Sequence, residues 1–208
     1  RRMATRMPDL DLYHPWELKV EEAVLLAIEC EEAARNADPR IVNSEGASVS
    51  SNAGIHVYGN SHGFVGGYPT SRHGLSCAVV GQEGDGMQRD YWWSSAGAAD
   101  DLEPAADVGR RAGERTVARL GARQISTRQA PILFSAQVAS GLMRHLVSAI
   151  TGSSLYRQAS FLMDHLDRKI FPDFVRIHEE PLLLRGLGSA PFDGDGVGTT
   201  EKDLISEG

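Results

Sequence analysis

The first part of the chain contains the clearest helical pattern. In residues 11–40, DLYHPWELKVEEAVLLAIECEEAARNADPR, apolar or small side chains recur every three or four positions, and acidic side chains lie mostly between them. The recurring positions are Val20, Ala23, Val24, Ala27, Cys30 and Ala34. Pro15 suits a first helical turn, and the sequence DPR at 38–40 suits a helix end, because proline cannot continue a helix. The pattern predicts one long helix with an acidic, solvated face.

Short segments separated by glycines follow between Ile41 and Ala96. GIHVYG and GLSCAVVG alternate or carry β-branched residues, and GDGMQRDYWW indicates a turn that leads into a strand. In that strand one face would carry Met87, Arg89, Tyr91 and Trp93. Several short strands with glycine turns predict an antiparallel meander.

The rest of the chain predicts helices with one strand between them. Pro104 begins a helix over about residues 104–121, and APILF (130–134) indicates a short buried strand before a helix that includes 141–152. ASFLMDHLDRKIF (159–171) predicts another helix, and 188–208 is glycine-rich and irregular. We therefore predict an α+β fold, in which helices flank an antiparallel β-meander and a second α+β domain begins after it. An α/β fold is the alternative.

Charge and composition exclude several classes of protein. The chain has 208 residues, enough for one large or two small domains, and a net charge of −7. It therefore has no basic field for phosphate backbones, which argues against direct nucleic-acid binding. No apolar run approaches the roughly 20 residues of a membrane span. Cys30 and Cys77 form no CxxC pair or disulfide framework, so we expect two reduced thiols in a cytoplasmic protein.

Both ends of the sequence are unusual. It starts at Arg1 instead of methionine and stops at EKDLISEG, where a strand and turn would begin. We expect an internal piece of a longer protein. Interrupted cores and unpaired strand edges attract other chains, so the isolated chain could form a homo-oligomer.

The helix GLMRHLVSAITG (141–152) is the first place to look for a metal. Its apolar positions recur at helical spacing and predict a packing face: Ala139, Leu142, Met143, Leu146, Val147 and Ile150. A zinc helix needs ligands about one turn apart on one face. This helix offers His145 alone, with cationic Arg144 beside it and Ala149 where a second ligand would be useful.

The other histidines are scattered. His56 and His62 lie at the two ends of a predicted hairpin and could form a ligand pair, although no carboxylate or thiol is beside them. His73 adjoins Arg72, which disfavours a cation, and we expect His165 and His178 at the surface. There is no GxSxG elbow, and PFDGDGVG lacks the glutamate that completes a calcium loop. The residues alone predict no assembled active site.

Five long segments resemble the TldD/PmbA family, whose members were historically named modulators of DNA gyrase. The segments are PDLDLYHPWE, RIVNSEGASVSSNAGIHVYGNSHGFVGGYPTSRHGLSCAVV, GDGMQRDY, APILFSAQVASGLMRHLVSAITGSSLYRQASFLMD and SAPFDGDGV. The resemblance covers residues 8–208 and implies a two-domain α+β protein. With residues 1–8 interpreted as a linker or tail, it implies the remainder of an N-terminal domain at 9–125 and the beginning of a C-terminal domain at 126–208.

The resemblance also implies a function. It implies a subunit that acts with a TldD-like partner in a heterodimeric metalloprotease, on peptides such as microcin or on an unfolded antitoxin. TldD-type members carry His-Glu-x-x-x-His on the helix described above, and the matching positions here are Arg144, His145 and Ala149. The resemblance therefore implies no catalytic residue and no metal or other cofactor in this chain, with zinc in the partner. The alternatives are a metallopeptidase that uses His56 and His62, and a regulator of DNA gyrase.

Overall fold

Residues 2–208 are described by a computed structural model, and they divide into two units. The first unit comprises the chain up to Arg123 together with Glu180–Glu201. The second comprises Gln124–Glu179 and Lys202–Gly208. Within this described part of the chain, every helix is too short or too polar to cross a bilayer.

The first unit consists of two helices and three strands. In chain order they are α1 (Val20–Arg35), β1 (Ile41–Gly59), β2 (Val65–Glu83), β3 (Gly86–Ala96) and α2 (Ala105–Ala118), with a short 3₁₀ turn at Ala99–Asp101 before α2. The strands form one antiparallel sheet in the order β1-β2-β3. The predicted α+β fold with an antiparallel meander is therefore confirmed, and the α/β alternative is wrong, since every strand pair in residues 2–208 is antiparallel.

The core of the first unit lies between the sheet and the two helices. On β2 the alternate positions between Ser71 and Gly81 are buried, as the two-residue period of a strand requires. These positions meet small side chains of the helices, which allow a close approach. The central residues are Cys30, Ala34, Leu75, Cys77, Val79, Val108 and Ala112.

Helix α1 begins later than its sequence predicts. Its first residue is Val20, so the prediction that Pro15 lies in the first turn is wrong. The preceding segment is not helical, and its backbone hydrogen-bonds to β2 instead: the Ser71 amide donates to Leu12 O (2.9 Å), and the Ser71 hydroxyl accepts from the His14 amide (2.7 Å). The carboxylate of Glu22 then accepts a hydrogen bond from the Lys19 amide (3.1 Å) and fixes the start of the helix.

The β1–β2 hairpin extends well beyond β3. Both strands have 19 residues, whereas β3 pairs only with the part of β2 from His73 to Glu83. The tip of the hairpin is closed by Phe64, whose ring lies edge-on to that of Phe192, 5.1 Å between centroids. Gly196 has a φ of +80°, and a Cβ there would lie 2.6 Å from the Phe64 ring, so this turn requires glycine.

The second unit contains α3 (Ala136–Ile150), α4 (Gly152–Tyr156) and a two-stranded sheet of β4 (Ile177–Glu179) and β5 (Lys202–Ile205). Two predictions fail here. APILF is not a buried strand, and Leu133 within it is 99% exposed. Residues 159–171 form turns instead of a helix, because Asp164 and Asp167 have φ values of +59° and +58°, which no right-handed helix accommodates.

The turn between α1 and β1 is closed by an ion pair that makes a testable prediction. The Arg40 guanidinium donates to both carboxylate oxygens of Asp38 (2.9 Å each) and lowers the pKa of that carboxyl to about 2. The pair stabilises the fold above the unfolded-state pKa, about 3.9, and this contribution is lost as the pH falls towards the folded pKa. In Arg40→Gln we expect the Asp38 pKa to rise towards that ordinary value, measured by NMR titration of the carboxyl carbon. An unchanged pKa would show that the turn backbone holds it low.

Candidate functional site

Helix α3 carries the three positions that the resemblance aligns with a zinc motif. The helix is confirmed at Ala136–Ile150. Its first backbone hydrogen bond runs from the Ala139 amide to Ser135 O (2.8 Å). It ends at Thr151, which has an extended backbone and whose hydroxyl donates to Ser148 O (2.6 Å). Gly141 lies inside the helix and does not end it.

The apolar face of α3 is covered only in part. Leu146 and Ala149 are buried, but Leu142 is 50% and Val147 47% exposed. The sequence predicted a complete packing face, and periodicity cannot show whether a surface is present to receive it. In the second unit as described, the buried side of α3 passes through Leu146 and Ala149.

The side chains at the three motif positions cannot form a zinc site. Arg144 and His145 are exposed, and Ala149 is 7% exposed. A guanidinium stays protonated and does not ligate zinc, and a methyl group has no lone pair. The three positions therefore offer one donor, the His145 imidazole, where a catalytic zinc takes three protein ligands.

The hairpin histidines are held in different ways. The His56 ring stacks on Tyr68, 5.3 Å between centroids, whereas His62 lies exposed in the turn, where its amide donates to the Asn60 side chain (3.1 Å). Across residues 2–208, no group of three or more His, Cys, Asp or Glu side chains is placed to hold a metal.

His73 is a buried histidine whose structural role the sequence did not reveal. It is 1% exposed, and its Nε2 lies 2.9 Å from His14 O. A carbonyl only accepts, so Nε2 carries the proton, and Nδ1 accepts from the Ser51 hydroxyl at 3.0 Å. The edge of Trp16 contacts the ring, 5.5 Å between centroids. His73 therefore fastens the segment before α1 to the sheet. In the sequence, His73 alternates with the apolar residues Leu75, Cys77 and Val79 along β2, and this two-residue period could have predicted that His73 is buried.

The two remaining candidates differ in environment. His178 on β4 is exposed, as predicted, and its Nδ1 lies 2.7 Å from Asp203 Oδ1 on β5. Together with Arg176, this contact lowers the pKa of Asp203. His165 is half-buried, so its predicted surface position is only partly correct, and its Nδ1 donates to Met163 O (2.7 Å).

The cysteines form a buried pair inside the first unit. Cys30 on α1 and Cys77 on β2 are both free thiols and are at most 1% exposed. The hydrogen bond with Cys77 and burial raise the pKa of the Cys30 thiol, which keeps it protonated. Neither thiol has the exposure that a reactive cysteine needs.

Comparison with known proteins defines the class. The family model for the PmbA/TldA metallopeptidase central domain matches residues 13–120, and the model for the C-terminal domain matches 127–208. The chain is 47% identical over 206 residues to "Metalloprotease PmbA" of Escherichia coli O157:H7, and 44% identical over 206 residues to "Metalloprotease PmbA homolog" of Haemophilus influenzae. Both alignments cover 99% of this chain and 46% of the relative.

A solved structure shares the fold. It is from Bacteroides thetaiotaomicron, is labelled a modulator of DNA gyrase, and superposes with a TM-score of 0.90 at 27% identity, over 97% of this chain and 46% of that one. Fold and sequence together define a metallopeptidase-related α+β protein. The chain belongs to the TldD/PmbA family. It spans about half the length of the curated relatives that it matches.

Proposed function

We propose that this chain belongs to a subunit that lacks the zinc motif and works with a TldD-like, zinc-holding partner as a metalloprotease. The observation that carries the proposal is the set of side chains on α3: Arg144, His145 and Ala149 stand where the resemblance places two zinc ligands and a general base. A helix with a guanidinium and a methyl group at the ligand positions keeps its fold without this chemistry.

The proposed substrates are peptides, such as a microcin precursor, or an unfolded protein, such as an antitoxin, in the cytoplasm. Two findings support a proteolytic role. The Escherichia coli relative is named a metalloprotease, and both family models describe metallopeptidase domains. In this scheme the subunit helps to build the chamber or the path that leads substrate to the partner's zinc.

Co-expression with a TldD-like subunit tests this proposal. We expect the two to copurify as a heterodimer, to contain zinc and to cleave an unfolded substrate. Zinc and cleavage should disappear when the partner's motif is changed and should persist when His145 of this chain is changed to Ala. Near-stoichiometric zinc in this chain alone, lost in His56→Ala or His62→Ala, would instead favour a metallopeptidase in its own right.

Restoring the motif residues should not restore a protease. The triple change Arg144→His, His145→Glu and Ala149→His supplies the ligand types. However, Ala149 is only 7% exposed, so an imidazole there is too large for its surroundings and should lower the free energy of unfolding by about 1–3 kcal/mol. Ligands also need second-shell partners to orient them. We expect a lower melting temperature and no zinc-dependent cleavage without the partner, whereas Arg144→His alone, at an exposed position, should melt like the wild type. Zinc-dependent cleavage by the triple variant alone would contradict this.

A further inference from the structure

A cleft of about 390 Å³ opens in the first unit where β3 ends and β2 continues beside β1 alone. Its volume is near the lower end of small-ligand pockets, roughly 300–1,000 Å³. The hairpin contributes one side of the cleft, and the returning segment Arg185–Ala190 contributes another. The hairpin side chains that matter below are His56, Tyr68 and Arg72.

One part of the lining is a pair of stacked aromatic rings, the His56–Tyr68 platform. His56 and Tyr68 are direct cross-strand partners, and their rings are nearly parallel, 26° apart at 5.3 Å between centroids. Phe192 supports Tyr68 edge-on from the first unit's own interior, also at 5.3 Å. Tyr68 is therefore held by ring contacts with His56 and Phe192, whereas His56 itself is exposed. Such a surface suits an apolar or aromatic side chain of a ligand.

A second part of the lining is an arginine without a counter-charge. Arg72 is exposed, and its Nε donates to the Ser95 hydroxyl (3.1 Å). Among residues 2–208, no carboxylate forms an ion pair with it. Arg89, on the neighbouring strand, pairs with Glu45 at 2.9 Å. Arg72 can therefore form an ion pair with a ligand carboxylate without breaking an ion pair inside the protein.

Charged side chains also line the cleft beside the returning segment. Arg185 donates to Asp101 (2.8 Å) and lies 3.8 Å from Asp11, which also contacts His14 at 3.2 Å. The carboxylate of Asp11 lines the cleft and lies near the Arg185 guanidinium, whereas its contact with His14 is an ion pair only when that imidazole is protonated. Arg72 is thus the one arginine of the lining without an ion pair in residues 2–208, and any preference for an anion is local to its guanidinium.

The same wall holds two residues in a strained backbone conformation. Asp11 and Arg185 have φ values of +53° and +58°, which non-glycine residues adopt rarely. The Arg185 amide donates to Leu10 O (2.9 Å), so the two segments hold one another in place. Strain of this kind often accompanies a binding site, where it fixes the shape of a wall.

We propose that this cleft binds the carboxyl-terminal residue of a peptide. The terminal carboxylate would pair with the Arg72 guanidinium, whose planar fork matches the two oxygens, and the last side chain would lie on the His56–Tyr68 platform. The binding needs neither zinc nor a partner subunit, so it is independent of the proteolytic role proposed above. The failure of one proposal leaves the other intact.

Titration calorimetry on the whole 208-residue chain tests the proposal with three peptides. The first is Ala-Ala-Ala-Ala-Phe with a free carboxylate, the second is the same peptide amidated, and the third is the amidated peptide with Asp at its third position. Charge-assisted hydrogen bonds are worth about 1.5–3 kcal/mol, so amidation should weaken binding by about 10- to 100-fold. Binding of the third peptide as tightly as the first would overturn the assignment to a chain terminus.

Two arginine variants provide the matched comparison. Arg72→Gln should weaken the free-acid peptide by about 10- to 100-fold and abolish its advantage over the amide. Arg89→Gln changes another exposed arginine of the sheet, one that has an internal partner, and should bind like the wild type. Both variants should retain the wild-type melting temperature. Equal binding of acid and amide by the wild-type chain, no detectable binding of either, or an unchanged Arg72→Gln would overturn the proposal.

Discussion

Replacing Gly109 by alanine should lower the free energy of unfolding of the first unit by about 3 kcal/mol, which is near the upper end of ordinary overpacking costs. A Cβ at this position would overlap the carbonyl oxygen of Cys30 and lie 3.0 Å from the Ala34 amide nitrogen. Both are backbone atoms of α1, so no rotamer change can relieve the overlap. The two helices would have to separate.

The reason for this closeness is the size of the residues along the contact. One turn further along α2, a Cβ at Gly113 would lie 2.6 Å from Ala34 O and 2.5 Å from the Ala37 methyl. Two glycines in a helix cost about 1 kcal/mol each in propensity. That cost is offset because the close approach buries Val108 and Ala112 completely.

Urea denaturation followed by circular dichroism measures the effect, and Gly141→Ala is the matched control. Gly141 is also inside a helix, but an added Cβ there would meet nothing within 4 Å. Propensity alone should then act, and the control should gain up to about 1 kcal/mol. If Gly109→Ala proved at least as stable as the wild type, the interpretation of the α1–α2 contact would be wrong.

Local patterns in the sequence were sufficient to predict the elements with a clear periodicity. The meander, α2 and α3 follow from two-residue or helical periodicity, which each segment shows in its own residues whatever it packs against. The start of α1 was predicted wrongly because Ser71, which is far away in sequence, forms hydrogen bonds with the backbone of Leu12 and His14. A long-range hydrogen bond leaves no local pattern.

The candidate site shows the same division. Periodicity predicted α3, but the exposure of Leu142 and Val147 depends on which surfaces are present, and apolar spacing contains no such information. The significance of Arg144 and Ala149 came from the family resemblance, not from their spacing. The aromatic cleft was not predicted at all, because it joins Arg72 on the hairpin with a returning segment that begins at Arg185.

Replacing His73 by leucine should cost about 1–3 kcal/mol and release the segment before α1 from the sheet. Leucine restores much of the buried volume, so the loss is mainly polar. His14 is half-buried and its carbonyl loses a partner, which costs about 1–3 kcal/mol for a buried group. The Ser51 hydroxyl also loses a partner, but Ser51 is exposed and its hydroxyl can hydrogen-bond to water instead. The edge contact with Trp16 is lost as well.

Hydrogen exchange separates this local release from general destabilisation. Amides of residues 10–16 should exchange faster in His73→Leu than amides of α2 do, relative to the wild type. His62→Leu is the control, since His62 is exposed in the hairpin turn, and it should leave both regions unchanged. Equal acceleration in both regions would mean that His73 supports the whole core and is not specific to the segment.

A double-mutant cycle with Ser71→Ala then tests whether the two side chains act as one clamp. Ser71 accepts from the His14 amide (2.7 Å) and donates to Gly97 O (2.7 Å), while His73 holds His14 through its carbonyl. If either change alone releases the segment, the second has less left to break, and the double variant should lose at least about 0.5 kcal/mol less than the sum of the single losses. Strict additivity would show that the segment is held at two independent points, and that losing one leaves the other hydrogen bonds in place.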